Sequence, residues 1–163
     1  MEVDFKRINV EDDFQTCVDF RRDSYFCSFD TYEGFEASIV GYQDNLFLKV
    51  GNPDYFYFHL WAQGKIIGQL EFRAFSELAD TGYVNLIYLI SEYRGSGLAA
   101  QLQQFIAEQL MEKGCKGALL SVSRTNRRAL NHYQGWGWQY FSANPKHAMT
   151  DFYRRHFSPQ DTE

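Results

Sequence analysis

Residues 94–99 read Arg-Gly-Ser-Gly-Leu-Ala and stand between an apolar run, Gly82–Ile90, and a segment whose apolar residues recur at helical spacing. A glycine turn that opens a helix presents main-chain N–H groups at the positive end of the helix dipole, where an anion can sit. Gly95 and Gly97 lack the Cβ atoms that would hold a phosphate away, and they permit positive φ where the chain curls. Arg94 sets a cation at the mouth of the loop, and Ser96 adds little. Further along, Tyr133 is a phenol able to give up a proton, and Glu71 and Asp80 are carboxylates able to accept one.

Three phosphate-loop readings separate on their surroundings. Gly95, Gly97 and Ala100 spell G-x-G-x-x-A, the dinucleotide fingerprint, which needs a carboxylate at the end of the next strand. That strand ends Leu-Leu-Ser-Val-Ser-Arg, without an acid. A Walker loop needs Lys-Ser or Lys-Thr after the glycines, and none follows. A glycine turn required by packing alone remains open on these residues by themselves.

The elements that must position the loop follow from hydrophobic period and punctuation. Val3–Asn9 alternates like a strand, and Glu11–Phe26 carries Phe14, Cys17, Val18 and Tyr25 at roughly helical spacing. Asp30 is expected to cap a second helix over residues 31–47, weakened by Gly34 and Gly41. Tyr55–Trp61 and Lys65–Phe72 read as a hairpin, and Gly82–Ile90 as a third strand entering the glycine loop. Leu98, Leu102, Phe105, Ile106 and Leu110 form the apolar face of a helix that stops at Gly114. Gly117–Ser123 is a short buried strand; a helix capped near Ser123 or Thr125 and two strands complete the chain. The order predicts one mixed α/β domain over 1–163, with helices on both faces of a mixed sheet and a frayed tail at 158–163.

Composition bounds the partners. The 163 residues are 45% hydrophobic and 18% aromatic, with a net charge of −5, so no basic stripe for a nucleic-acid backbone is expected. The charged N-terminus and the lack of long apolar runs lead us to expect a cytoplasmic protein without membrane segments. Three scattered cysteines and four histidines at unrelated spacing suggest neither a disulfide framework nor a metal site.

Two blocks taken together, "YLISEYRGSGLA" and "SVSRTNRRALNHYQGWGW", resemble the GNAT superfamily of acyl-CoA-dependent N-acyltransferases. Arg94–Ala99 matches that family's R/Q-x-x-G-x-G/A loop, and Asn126, Ala129, Tyr133, Gly137 and Trp138 match its N-x-x-A-x-x-x-Y element and the glycine–aromatic pair behind it. The resemblance covers 82–141 and rests on element order alone in the N-terminal half. It implies a GNAT-like fold, a central, mostly antiparallel sheet of six to seven strands flanked by about four helices. It further implies that acetyl-CoA is the co-substrate, with its pyrophosphate on residues 94–99.

The same resemblance places the pantetheine arm as an extra strand against the main chain near Tyr88, Leu89 and Ile90. The Leu89 N–H would face the thioester oxygen, Tyr133 would protonate the leaving thiolate, Asn126 would fix the arm or cap its own helix, and Ala129 would flank the arm. Glu71, Asp80 or a water chain lined by Tyr83 or Tyr88 would deprotonate the amine. The aromatic segment bearing Tyr25, Phe26, Phe29 and Tyr32 would line the acceptor cleft, and its acids lean toward a cationic small-molecule or peptide amine. Relatives often pair as homodimers. A non-catalytic acyl-CoA-binding sensor or interaction module is the alternative.

Overall fold

The structure is a computed structural model and describes residues 2–158. Seven strands form one sheet in the order β1-β2-β3-β4-β5-β7-β6. They are β1 (Asp4–Arg7), β2 (Tyr55–Ala62), β3 (Lys65–Arg73), β4 (Thr81–Leu89), β5 (Gly117–Ser123), β6 (Gln139–Ala143) and β7 (Thr150–His156). Every neighbouring pair is antiparallel except β4 with β5, so the sheet is mixed and mostly antiparallel, as expected. Among the described residues four helices of two turns or more accompany it: α1 (Val10–Phe29), α3 (Tyr42–Val50), α4 (Leu98–Glu112) and α5 (Arg127–Gly135), with α2 (Phe35–Ser38) a single turn.

The expected second helix is corrected. Asp30 ends α1 rather than starting a helix: its φ of 57° is left-handed and its N–H closes on the Phe26 carbonyl. A short polar side chain tolerates that conformation. Residues 31–47 then break into α2 and α3, because left-handed backbone at Gly34 and Gly41 starts each one afresh. The cap of α5 is also corrected. Asn126 holds it, accepting from the Ala129 N–H, while Ser123 and Thr125 bond each other's hydroxyls just outside. The hairpin turn at Gln63 and Gly64 has positive φ at both residues, the type I′ geometry. Of the expected tail, residues 159–163 lie outside the described residues.

Two layers cover the sheet. Leu98, Leu102, Ile106 and Leu110 of α4 pack with Phe72, Val84, Leu120 and Val122 in the main core. On the other face Cys17 of α1 and Leu46 of α3 pack with Tyr57, and Phe20 of α1 packs on Leu86 and Tyr88.

A single irregularity in β4 parts the sheet. Glu71 lies opposite Leu86 but Phe72 lies opposite Val84, so Asn85 is an extra residue bulged out of the ladder. Because side chains alternate, an inserted residue flips the faces: Val84 belongs to the α4 side, whereas Leu86 and Tyr88 belong to the α1 side. The parallel pairing with β5 stops at the same place, its last register pair being Val84 with Leu120. Beyond it, Asn85–Leu89 and Ser121–Ser123 diverge.

Candidate active site

The parted strands open into a cavity of about 930 Å³. Its walls are Asn85–Leu89 of β4, Ser121–Ser123 of β5, the start of α4, one face of α5, and α1 to α3 on the far side.

Which main-chain groups face the gap follows from the ladder. Ile90 N–H donates to the Ile67 carbonyl at 2.9 Å, and in antiparallel pairing successive residues point their N–H and C=O to opposite sides. Leu89, paired with Gly68 one step back, therefore turns its groups away from β3 and into the gap, and Ile87 does the same. The expectation that Tyr88 and Ile90 would also offer their main chain is corrected. Tyr88 shares the phase of Ile90 and faces Gln69, while the Ile90 carbonyl accepts from Tyr93 N–H at 3.0 Å.

At the end of the gap the glycine loop turns into α4. Gly97 is the N-cap with φ 89°, no side chain caps the helix, and Gly95 has φ 76°. First-turn amides of such a helix are open donors. A Cβ at either glycine would meet no atom within 4 Å, so the space beside both is left clear by the protein itself. Ser96 donates its hydroxyl to the Tyr93 carbonyl. Leu98 is buried in the main core, and Ala99 lines the cavity.

Arg94 does not reach out into solvent. Its Nε donates to the Leu89 carbonyl at 2.8 Å and another guanidinium nitrogen to Asp23 Oδ2 at 2.8 Å. Tyr88 hydroxyl donates to the same carboxylate oxygen. The loop, β4 and α1 are thus tied at one point.

On α5, Asn126 serves as cap, and Ala129 and Tyr133 line the cavity. Tyr133 packs edge-on to Trp138, and burial pushes its phenol up to about 12. The glycine–aromatic pair of the sequence proves structural, for Trp138, 1% exposed, donates its indole N–H to Gln103 Oε1 at 3.2 Å. That fixes the Gln103 amide so that its NH₂ meets His132 Nε2, also at 3.2 Å. An amide NH₂ only donates, so His132 must accept at Nε2 and carry its proton on Nδ1. Desolvation lowers the His132 pKa, which fits a neutral ring. Sequence reasoning overlooks Gln103; only the position of a polar residue on the apolar face of α4 could signal it.

The two carboxylates do not line the cavity. Glu71, 1% exposed, lies behind Arg21 and Tyr42, accepting from the Arg21 guanidinium, from Tyr42 hydroxyl at 2.5 Å and from Gln69 Nε2 at 2.6 Å. Burial alone would raise its pKa, but Arg21 and these donors hold it below the ordinary value. Its lone pairs are committed. Asp80 sits at the opposite end of β4, in a left-handed turn, with its carbonyl bonded to Lys116 N–H. Among the described residues no aspartate or glutamate lines the cavity, whereas Arg21, Arg94, Arg128, His132 and His147 do.

The aromatic segment divides. Tyr25 and Phe29 line the cavity with Tyr83, Tyr88 and Phe35. Phe26 and Tyr32 pack on each other at 4.8 Å on the outside of α1, 37% and 51% exposed. Arg21, Ser24, Tyr25 and Ser28 share one face of α1 at i, i+3, i+4 and i+7, and Phe26 falls on the opposite side.

The acetyltransferase (GNAT) family model matches residues 14–138, and the chain belongs to that family. The PaiA N-acetyltransferase of Thermoplasma acidophilum, solved with coenzyme A, superposes with a TM-score of 0.79 at 17% identity, over 96% of this chain and all of that one, a likeness of fold. Thialysine N-epsilon-acetyltransferase of Bos taurus is 37% identical over 57 residues, 35% of this chain and 34% of that protein. N-alpha-acetyltransferase MAK3 of Arabidopsis thaliana is 30% identical over 92 residues, 51% of this chain and 48% of that one. The matches thus span between a third and a half of the curated relatives' length.

Proposed function

We propose that the protein transfers an acetyl group from acetyl-CoA to a primary amine. The observation that carries this reading is the parting of β4 from β5 beyond Val84, which leaves the Leu89 N–H in a gap leading to the uncapped start of α4. The names of the relatives, an N-epsilon- and an N-alpha-acetyltransferase, and the coenzyme A in the PaiA structure support it. The clear space at Gly95 and Gly97 fits a pyrophosphate.

In this reading residues 95–99 bind the diphosphate, and the main chain of Ile87 and Leu89 aligns the pantetheine arm. The Leu89 N–H faces the acyl oxygen, a donor worth about 3 kcal/mol in such sites. The acceptor nitrogen bonds to the acyl carbon as the C–S bond breaks, and Tyr133 supplies a proton to the departing sulfur. A phenol at about 12 is a weak acid for a thiolate whose parent pKa is near 8.5, so positioning rather than acidity must make it effective. With Glu71 committed and Asp80 remote, water held by Tyr83 and Tyr88 takes the amine proton.

The test is thiol release from acetyl-CoA with a panel of amines, beside the rise in Tm that coenzyme A produces. Release with at least one amine supports the enzyme. A raised Tm without release favours the second reading, an acyl-CoA-binding module, for which the carboxylate-free cavity lining speaks.

A further inference from the structure

We propose that Arg21 recognises a carboxylate on the acceptor, so that the amine acetylated is carried by an amino acid or a peptide bearing its own carboxyl group. The inference rests on the acetyltransferase reading and names the substrate class of that same cavity.

The chain as a whole is acidic, with a net charge of −5, yet the charged side chains on the cavity wall are all basic among the described residues. Two of the three arginines have other work. Arg94 is held by Asp23 and the Leu89 carbonyl, and Arg128 stands on α5, beside the coenzyme A motif. Arg21 stands on α1, and Tyr42 of α3 shares the wall with it. A polyamine or a lysine-rich peptide would find no carboxylate there to pair with. The acids of the aromatic segment lean toward a cationic acceptor; recognition by Arg21 adds a carboxylate to that acceptor.

Arg21 is built to hold its position. Glu71 pairs with it from behind, itself fixed by Tyr42 and Gln69, and the guanidinium lies 5.4 Å from the centre of the Tyr42 ring. The ion pair would be complete as a structural brace if the guanidinium were fully used. It is not: the side chain lines the cavity and keeps 29% of its surface exposed, although its Nε is closed off from solvent. A carboxylate is the acceptor that the exposed part of a guanidinium fits best. One and two helical turns further along the same face of α1, Ser24 and Ser28 also line the cavity and add neutral hydroxyls beside it. Glu71 cancels the net charge of Arg21, so the selection acts through directed hydrogen bonds more than through long-range attraction.

The test uses matched acceptors: each free amino acid, its carboxamide and its decarboxylated amine, assayed for acetyl-CoA-dependent acetylation with the full chain. We expect at least one amino acid to exceed its carboxamide and its amine tenfold or more in kcat/KM, expressed mainly in KM. In Arg21→Lys, and in Arg21→Met combined with Glu71→Gln to avoid an unpaired buried charge, that ratio should fall toward one. Coenzyme A should still raise the Tm of both variants, which confirms that they fold. Preference for carboxylate-free amines, or a ratio indifferent to both variants, overturns the inference and leaves the acetyltransferase reading intact. Thiol release with no amine at all removes both.

Discussion

The guanidinium of Arg94 and the carboxylate of Asp23 meet at 2.8 Å, joining the first residue of the glycine loop to α1. Both side chains are partly exposed, so the pair is worth at most about 1 kcal/mol. A diphosphate offers Arg94 two negative charges and stronger charge-assisted bonds. In the proposed reading Asp23 then competes with the coenzyme for Arg94. We expect Asp23→Asn to tighten coenzyme A binding about threefold to fivefold by calorimetry; weaker binding would mean that Asp23 instead holds Arg94 in its working position.

Gly97→Val should abolish the Tm rise produced by coenzyme A. The new side chain meets no protein atom but must adopt φ near 89°, costing about 1–2 kcal/mol, and it fills the space beside the first-turn amides. Retained coenzyme affinity would show that the loop does not hold the phosphates.

Tyr133→Phe should lower kcat by about ten- to a thousandfold and leave coenzyme affinity unchanged. Since burial pushes this phenol up to about 12, wild-type kcat should show no descending limb from Tyr133 below about pH 10. A limb near pH 8.5 that vanishes in the variant would contradict so buried a setting for the phenol.

Stability should rise with pH between about 5.5 and 7.5. Desolvation lowers the pKa of both His59 and His132 from the ordinary 6.5, so below that pH the unfolded chain binds protons that the folded chain refuses. Stability is then lost as pH falls from 6.5 toward the lowered folded values. Glu71 adds a separate acid-side loss, its paired carboxylate stabilising the fold above the ordinary 4.5 and ceasing to do so as pH falls through its lowered value. Urea midpoints at closely spaced pH values resolve the two windows, and a flat profile from 5.5 to 7.5 would contradict the neutral histidines.

Local signals in the sequence are enough for the hairpin at Gln63 and Gly64, for β5, and for the glycine loop, because each depends on a few adjacent residues with strong conformational preferences. They mislead at Asp30, which as a short polar residue can either start a helix or end one, and the choice falls to the packing of α1. The cluster of Arg21, Tyr42, Gln69 and Glu71 is illegible because its members are brought together by a helix crossing a sheet, not by spacing along the chain. The bulge at Asn85 is equally hidden, since "GYVNLIYLI" alternates well enough to pass for a regular strand, and only the register with β3 exposes the extra residue.

Where β4 parts from β5, an interior portion of the sheet is left with unsatisfied edges, a fault most proteins confine to their periphery. The occupant of that seam is then also a folding partner, and amides of Ile87 and Leu89 should exchange with deuterated solvent far more slowly once coenzyme A is added. A chain starved of coenzyme would present a loosened midsection to proteases, so its abundance in a cell should track the size of the coenzyme A pool.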